Sequence, residues 1–167
     1  DLSAVLPRLR ELAPDLIYLP TYYTIVNQVA GQLREAGIEA LLLGGDGWDS
    51  PELDRPPVEG GYFTAHFSPA DPRPEVQAFV ARYEEAYRRP PDALAALGYD
   101  AADLILAAME RAGTTDDPIA VARALESGAY LAVTGELAFD HNHNPVKHAV
   151  VYRVERDGFV YAETIAP

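Results

Sequence analysis

The feature that most constrains this chain is a strand, a helix and a second strand within the roughly 30 residues of one βαβ unit. Asp15-Leu16-Ile17-Tyr18-Leu19 is a short apolar run, as expected of a strand covered on both faces. A helix follows over about residues 24–36, with Ile25, Val26, Val29, Ala30 and Leu33 on one stripe and Gly37 as its C′ residue. Residues 38–43 form the next strand. A βαβ unit is nearly always right-handed and makes its two strands parallel. The loops after both strands therefore open at one edge of the sheet, where open α/β sheets hold their ligands.

Those two loops carry the chain's most informative residues. The first is Pro20-Thr21-Tyr22-Tyr23. The second is Gly44-Gly45-Asp46-Gly47-Trp48, a carboxylate between glycines followed by the only tryptophan. Glycines let the backbone turn without a Cβ penalty. A carboxylate here repels a phosphate and suits an ammonium group, and neighbouring aromatic rings add cation–π attraction. Tyr22, Tyr23, Asp46 and Trp48 are accordingly the candidate ligand-binding residues. The competing reading is an ordinary strand-to-helix loop with Asp46 or Ser50 as a cap.

The remaining chain supplies a frame. A helix occupies residues 1–13 and stops at Pro14. Residues 62–67 have strand composition, and 68–74 form a proline-rich connector. A helix over 74–88 presents Val76, Phe79, Val80, Tyr83 and Tyr87. A longer one over 93–112 buries Leu97, Ala101, Leu104, Ile105 and Ala108 and closes at Gly113. Asp117-Pro118 is an N-cap with proline at N1. After Gly128 the pattern becomes strand-like: residues 137–139 and 148–154 flank a polar turn, and Asp157-Gly158 turns the chain again.

Several chemistries are excluded or disfavoured. Without cysteine there is no disulfide, thiolate nucleophile or Cys-ligated metal. A net charge of −13, from 26 acidic against 13 basic residues, argues against nucleic acid and anionic membranes as partners. Asp140-His141-Asn142-His143-Asn144 starts like a calcium loop, but Pro145 stands where glycine is needed and Val151 where glutamate is needed. It reads as a hairpin turn. No serine sits in a nucleophile elbow, and no lysine-bearing phosphate loop occurs. No metal and no cofactor is expected.

Three segments carry a family likeness: Leu43-Gly44-Gly45-Asp46-Gly47-Trp48, Ala96-Leu97-Gly98-Tyr99-Asp100-Ala101-Ala102, and Thr134-Gly135-Glu136-Leu137-Ala138-Phe139-Asp140 with Asn144-Pro145-Val146-Lys147. Together they resemble the type I periplasmic-binding proteins, specifically the branched-chain amino-acid (Leu/Ile/Val) substrate-binding components of ABC transporters. His141 and His143 depart from an acidic residue and a glycine common in that turn. The resemblance implies an α/β fold: a parallel βαβ sheet of one lobe, additional helices and C-terminal strands, in an incomplete two-lobe architecture. Residues 1–70 resemble part of the second lobe, 74–128 helices returning to the first, and 129–167 strands returning to the second. The chain thus resembles a C-terminal portion.

By the same resemblance, Tyr22 lines an interlobe ligand cleft and Asp46 receives an amino acid's α-ammonium. The implied function is binding an amino acid and delivering it to a membrane permease, without catalysis, in the periplasm or outside the cell. A sensory receptor ectodomain of the same fold is an alternative, and a flavodoxin-like enzyme a more distant one. A chain with one cleft wall is expected to bind amino acids weakly or not at all, and to self-associate through bare helix faces.

Overall fold

A computed structural model describes residues 2–166. Two compact units divide it. One comprises the residues up to Ala65 together with Val150–Glu163, the other His66–Ala149 with the residues from Thr164.

The first unit is built on the βαβ element. Strand β1 (Leu16–Leu19), helix α2 (Tyr23–Glu35) and strand β2 (Leu41–Gly44) follow a short first helix, α1 (Leu6–Leu12). β1 and β2 are parallel, with Leu16 opposite Leu41 and Leu19 opposite Gly44. β3 (Tyr62–Ala65) pairs parallel to β2. The sheet order is β1-β2-β3-β7-β8, where β7 (Ala149–Glu155) lies antiparallel to β3 and β8 (Gly158–Ile165) follows a two-residue turn. Val26, Ala30 and Leu33 of α2 pack with Leu42, Trp48, Phe63, Tyr152 and Val154 into one core. β1 was expected to be covered on both faces. It lies at the sheet edge instead, and Leu16 and Tyr18 are exposed.

β2 is shorter at its start than residues 38–43 suggest. Ile38 and Ala40 are buried, but their carbonyls accept from the Arg34 guanidinium, at 2.6 and 3.1 Å. Arg34 also donates to the Pro57 carbonyl. One side chain thus occupies carbonyls that a longer strand would have paired.

The second unit contains α3 (Pro74–Tyr87), α4 (Ala93–Ala112), α5 (Pro118–Glu126) and a three-stranded sheet, β4 (Ala129–Ala132), β5 (Gly135–Phe139) and β6 (Pro145–Val146). Asp92 caps α4 by accepting from the Ala95 N–H, and Asp117 caps α5 by accepting from Ile119 and Ala120. Of the strands after residue 129, β4 to β6 belong to this unit, while β7 and β8 complete the larger sheet. β5 pairs with the short β6, not with β7, across the polar turn.

Two helix stripes differ from the expected ones. Tyr87 at the end of α3 is exposed, its ring lying 4.5 Å from that of Tyr83. On α4 the buried residues are Ala96, Asp100, Leu104 and Ala108, whereas Ala101 and Ile105 are exposed. The helix is turned so that a carboxylate, Asp100, lies inside.

Candidate functional site

The register of β1 and β2 sets the site. Leu19 and Gly44 are the last residues of their strands and face each other. After Leu19 the chain makes a tight turn, with the Thr21 N–H donating to the Leu19 carbonyl at 2.8 Å. Tyr22 is the N-cap residue of α2, and its carbonyl accepts from Ile25 and Val26. After Gly44 the chain forms a single 3-10 turn, Asp46–Trp48, in which the Trp48 N–H donates to the Gly45 carbonyl.

The two loops touch backbone to backbone. A Cβ placed on Gly47 would lie 2.9 Å from the Thr21 carbonyl oxygen and 3.1 Å from the Tyr22 Cα. That approach is closer than any residue with a side chain tolerates. The expected meeting of the Tyr22 and Asp46 loops is therefore present. Both residues are exposed at that edge, Tyr22 at 73%. Tyr18 of β1, which nothing in the loop sequences marks, belongs to the same edge. It is exposed, and its hydroxyl lies 4.0 Å from where a Gly45 Cβ would stand.

The other two candidates serve elsewhere. Trp48 was expected to offer an aromatic surface, yet its ring is wholly buried. The indole N–H donates to the Leu19 carbonyl at 3.1 Å, and the ring lies 6.3 Å from that of Phe63. It also lies flat on Gly44, whose Cβ would fall 2.2 Å from the indole Cε2. Trp48 thus locks the end of β1 to the end of β2 from behind. Its burial follows from turn geometry: residues one and three of a 3-10 turn point to different sides.

Tyr23 is half-buried, and its hydroxyl donates to Glu52 Oε2 at 3.0 Å. This bond to a carboxylate, reinforced by its charge, raises the Tyr23 pKa above its ordinary value. Next to it Asn27 makes a two-way clasp. Its amide donates to the Glu52 carbonyl, and its Oδ1 accepts from the Asp54 N–H at 2.8 Å. Tyr23, Asn27 and Glu52 therefore tie α2 to the segment that follows Asp46.

The turn at residues 140–144 is organised by Asp140. Its Oδ1 accepts from the Asn142 and Asn144 N–H groups, which lowers its pKa. His143 lies 3.0 Å from Glu126. Among the described residues no group of three or more His, Cys, Asp or Glu is placed to hold a metal ion.

Comparison with known proteins agrees with this architecture. The periplasmic binding protein family matches residues 1–158. A Leu/Ile/Val-binding protein homolog of Brucella melitensis is 33% identical over 135 residues, 77% of this chain and 35% of its own length. A leucine-binding protein of Thermotoga maritima superposes with a TM-score of 0.90 at 35% identity, over 100% of this chain and 49% of that one. A branched-chain amino-acid transporter substrate-binding protein of Streptococcus pneumoniae, solved with isoleucine, gives a TM-score of 0.81 at 27% identity and 49% coverage of its chain. This chain spans about half or less of these relatives' lengths. With its α/β sheet and added helices it matches part of a type I binding-protein architecture, and it belongs to the periplasmic binding protein family.

Proposed function

We propose that this chain carries part of the ligand site of an amino-acid-binding component of an ABC importer. The ligand is an amino acid of the branched-chain class, passed on to a membrane permease in the periplasm or outside the cell. The role is binding, not catalysis. Asp46 would accept the α-ammonium, and Tyr22 would cover it with an aromatic face. Trp48 would shape the wall without touching ligand, and Tyr23 would hold α2 to the segment after Asp46. In this reading residues 1–70 belong to one lobe and the helices of 74–128 to the other.

The observation that carries the reading is the contact of Gly47 with the backbone of Thr21 and Tyr22. It brings the loops that bear an exposed carboxylate and an exposed phenol to the carboxyl edge of parallel strands. Relatives named for leucine and for branched-chain amino acids support the ligand class.

An NMR titration of the chain with L-leucine tests it. Amide shifts are expected at residues 20–23 and 44–48, and 4-methylpentanoate, which lacks the ammonium, should produce none. A charged hydrogen bond is worth about 1.5–3 kcal/mol, so Asp46→Asn should weaken leucine binding roughly tenfold or more. Leucine shifts that survive Asp46→Asn unchanged would remove Asp46 from the site.

A further inference from the structure

A second polar cluster lies in the second unit. Its centre is the β4–β5 turn, Val133 and Thr134, followed by Gly135 at φ +117. The turn is unusual in two ways. Valine and threonine are strand formers, valine without turn chemistry and threonine with only a weak form of it. Both are also buried, Thr134 at 1% exposure, so water cannot satisfy their backbone N–H groups.

Side chains from three separate segments converge on the turn, and one of them satisfies both N–H groups. Asp100, buried in the middle of α4, accepts from the N–H groups of Val133 and Thr134, both at 2.8 Å. Arg73 donates to the Val133 carbonyl at 2.9 Å, while its Nε holds Asp71 at 2.9 Å and its Nη1 lies 3.5 Å from Glu75. Lys147 donates to the Thr134 hydroxyl at 2.5 Å. The His148 imidazole lies over Gly135, filling the space a Cβ would take.

The sequence positions of these groups give the cluster its meaning. The chain passes between the two units after Ala65, after Ala149 and after Glu163. Asp71 and Arg73 stand just beyond the first passage, and Lys147 and His148 just before the second. We propose that the β4–β5 turn is a common anchor for these two passages, with Asp100 as the positioning residue that holds the turn. The anchor fixes the two points at which the chain leaves the second unit. In a binding protein that opens and closes, rotation would then be confined to residues beyond those points. Only this last consequence rests on the proposed function; the anchor itself does not need a ligand.

Hydrogen–deuterium exchange on the unliganded chain tests the anchor. In Asp100→Asn, exchange should quicken by about tenfold or more together at residues 133–135, 66–73 and 147–149, with β1 to β3 unchanged. Faster exchange at 133–135 with both passages at their original rates would overturn the proposal, reducing Asp100 to a local cap. If Asp100→Asn does not fold, two milder variants decide. Arg73→Met should loosen 66–73, and Thr134→Val should loosen 147–149, while Thr134→Ser, which keeps the hydroxyl, restores the original rate. Failure of either passage to respond, or a serine variant behaving like valine, would equally overturn it.

Discussion

Gly47 shows how one missing side chain can bring two loops together. Its missing Cβ is what lets the Asp46 turn rest on the Thr21 carbonyl. The atoms a methyl group would meet are backbone, which cannot rotate away as a side chain can. Gly47→Ala should therefore cost about 1–3 kcal/mol, the range for overpacking. Urea unfolding should report the loss, together with displaced amide resonances at 20–23. A variant as stable as the original chain would mean the two loops are not in contact. Tyr23 gives a second test at this scale. Its pKa is raised by Glu52, so the protonated phenol is the form the fold favours. The stabilisation is complete below the ordinary tyrosine pKa and is lost as pH rises through the folded value. Glu52→Gln should bring the Tyr23 titration, followed by NMR, back toward ordinary tyrosine. A titration unmoved by that change would show that Glu52 is not the cause.

The elements were legible where chemistry punctuates them. Asp117-Pro118 reads as a helix start, and in the structure Asp117 accepts from two otherwise unpaired N–H groups. Asp117→Ala should accordingly cost about 1 kcal/mol, measured by thermal or urea unfolding. A cost near zero would mean that Pro118 alone sets the start. Gly37 and Gly113 end α2 and α4 at positive φ, as their positions suggested. Other features were not legible, each for a physical reason. Arg34 removes Ile38 and Ala40 from β2 by a side-chain interaction that no strand pattern encodes. The α4 stripe was misplaced because that helix is apolar nearly all round, so its period does not select a face. What selects it is Asp100, whose partners lie more than thirty positions away. Trp48 was misjudged for a related reason. A tryptophan two residues after a loop carboxylate reads as part of the same surface, but the 3-10 turn sends its ring to the core. The edge where the loops bearing Tyr22 and Asp46 touch was legible because it depends only on parallel strands, which the βαβ pattern fixes.

At the scale of the whole molecule, charge and apolar surface oppose each other. The chain carries a net charge of −13, which keeps copies apart in dilute salt. Yet α4 presents an outward face of Leu94, Gly98, Ala101, Ala102 and Ile105, with Leu94 79% exposed and Ile105 40%. Small residues in the middle of that face allow another backbone to approach closely. Leu106 and, on α5, Ile119 extend the exposed apolar surface. A helix apolar on its outer side as well as its inner one is a covered helix in most folds. Self-association of the 167-residue chain is therefore expected, and it should respond to salt in a characteristic direction. Salt shortens the reach of the repulsion, from about 30 Å at 0.01 M to about 8 Å at 0.15 M, and leaves apolar contact intact. Light scattering should then show the mean mass rising with ionic strength. Leu94→Lys with Ile105→Lys should abolish the rise, although these changes also reduce the net negative charge. Leu94→Glu with Ile105→Glu is the matching control, and it should act in the same way despite moving the charge oppositely. A chain that stays monomeric from low to high salt would show that this face needs no cover.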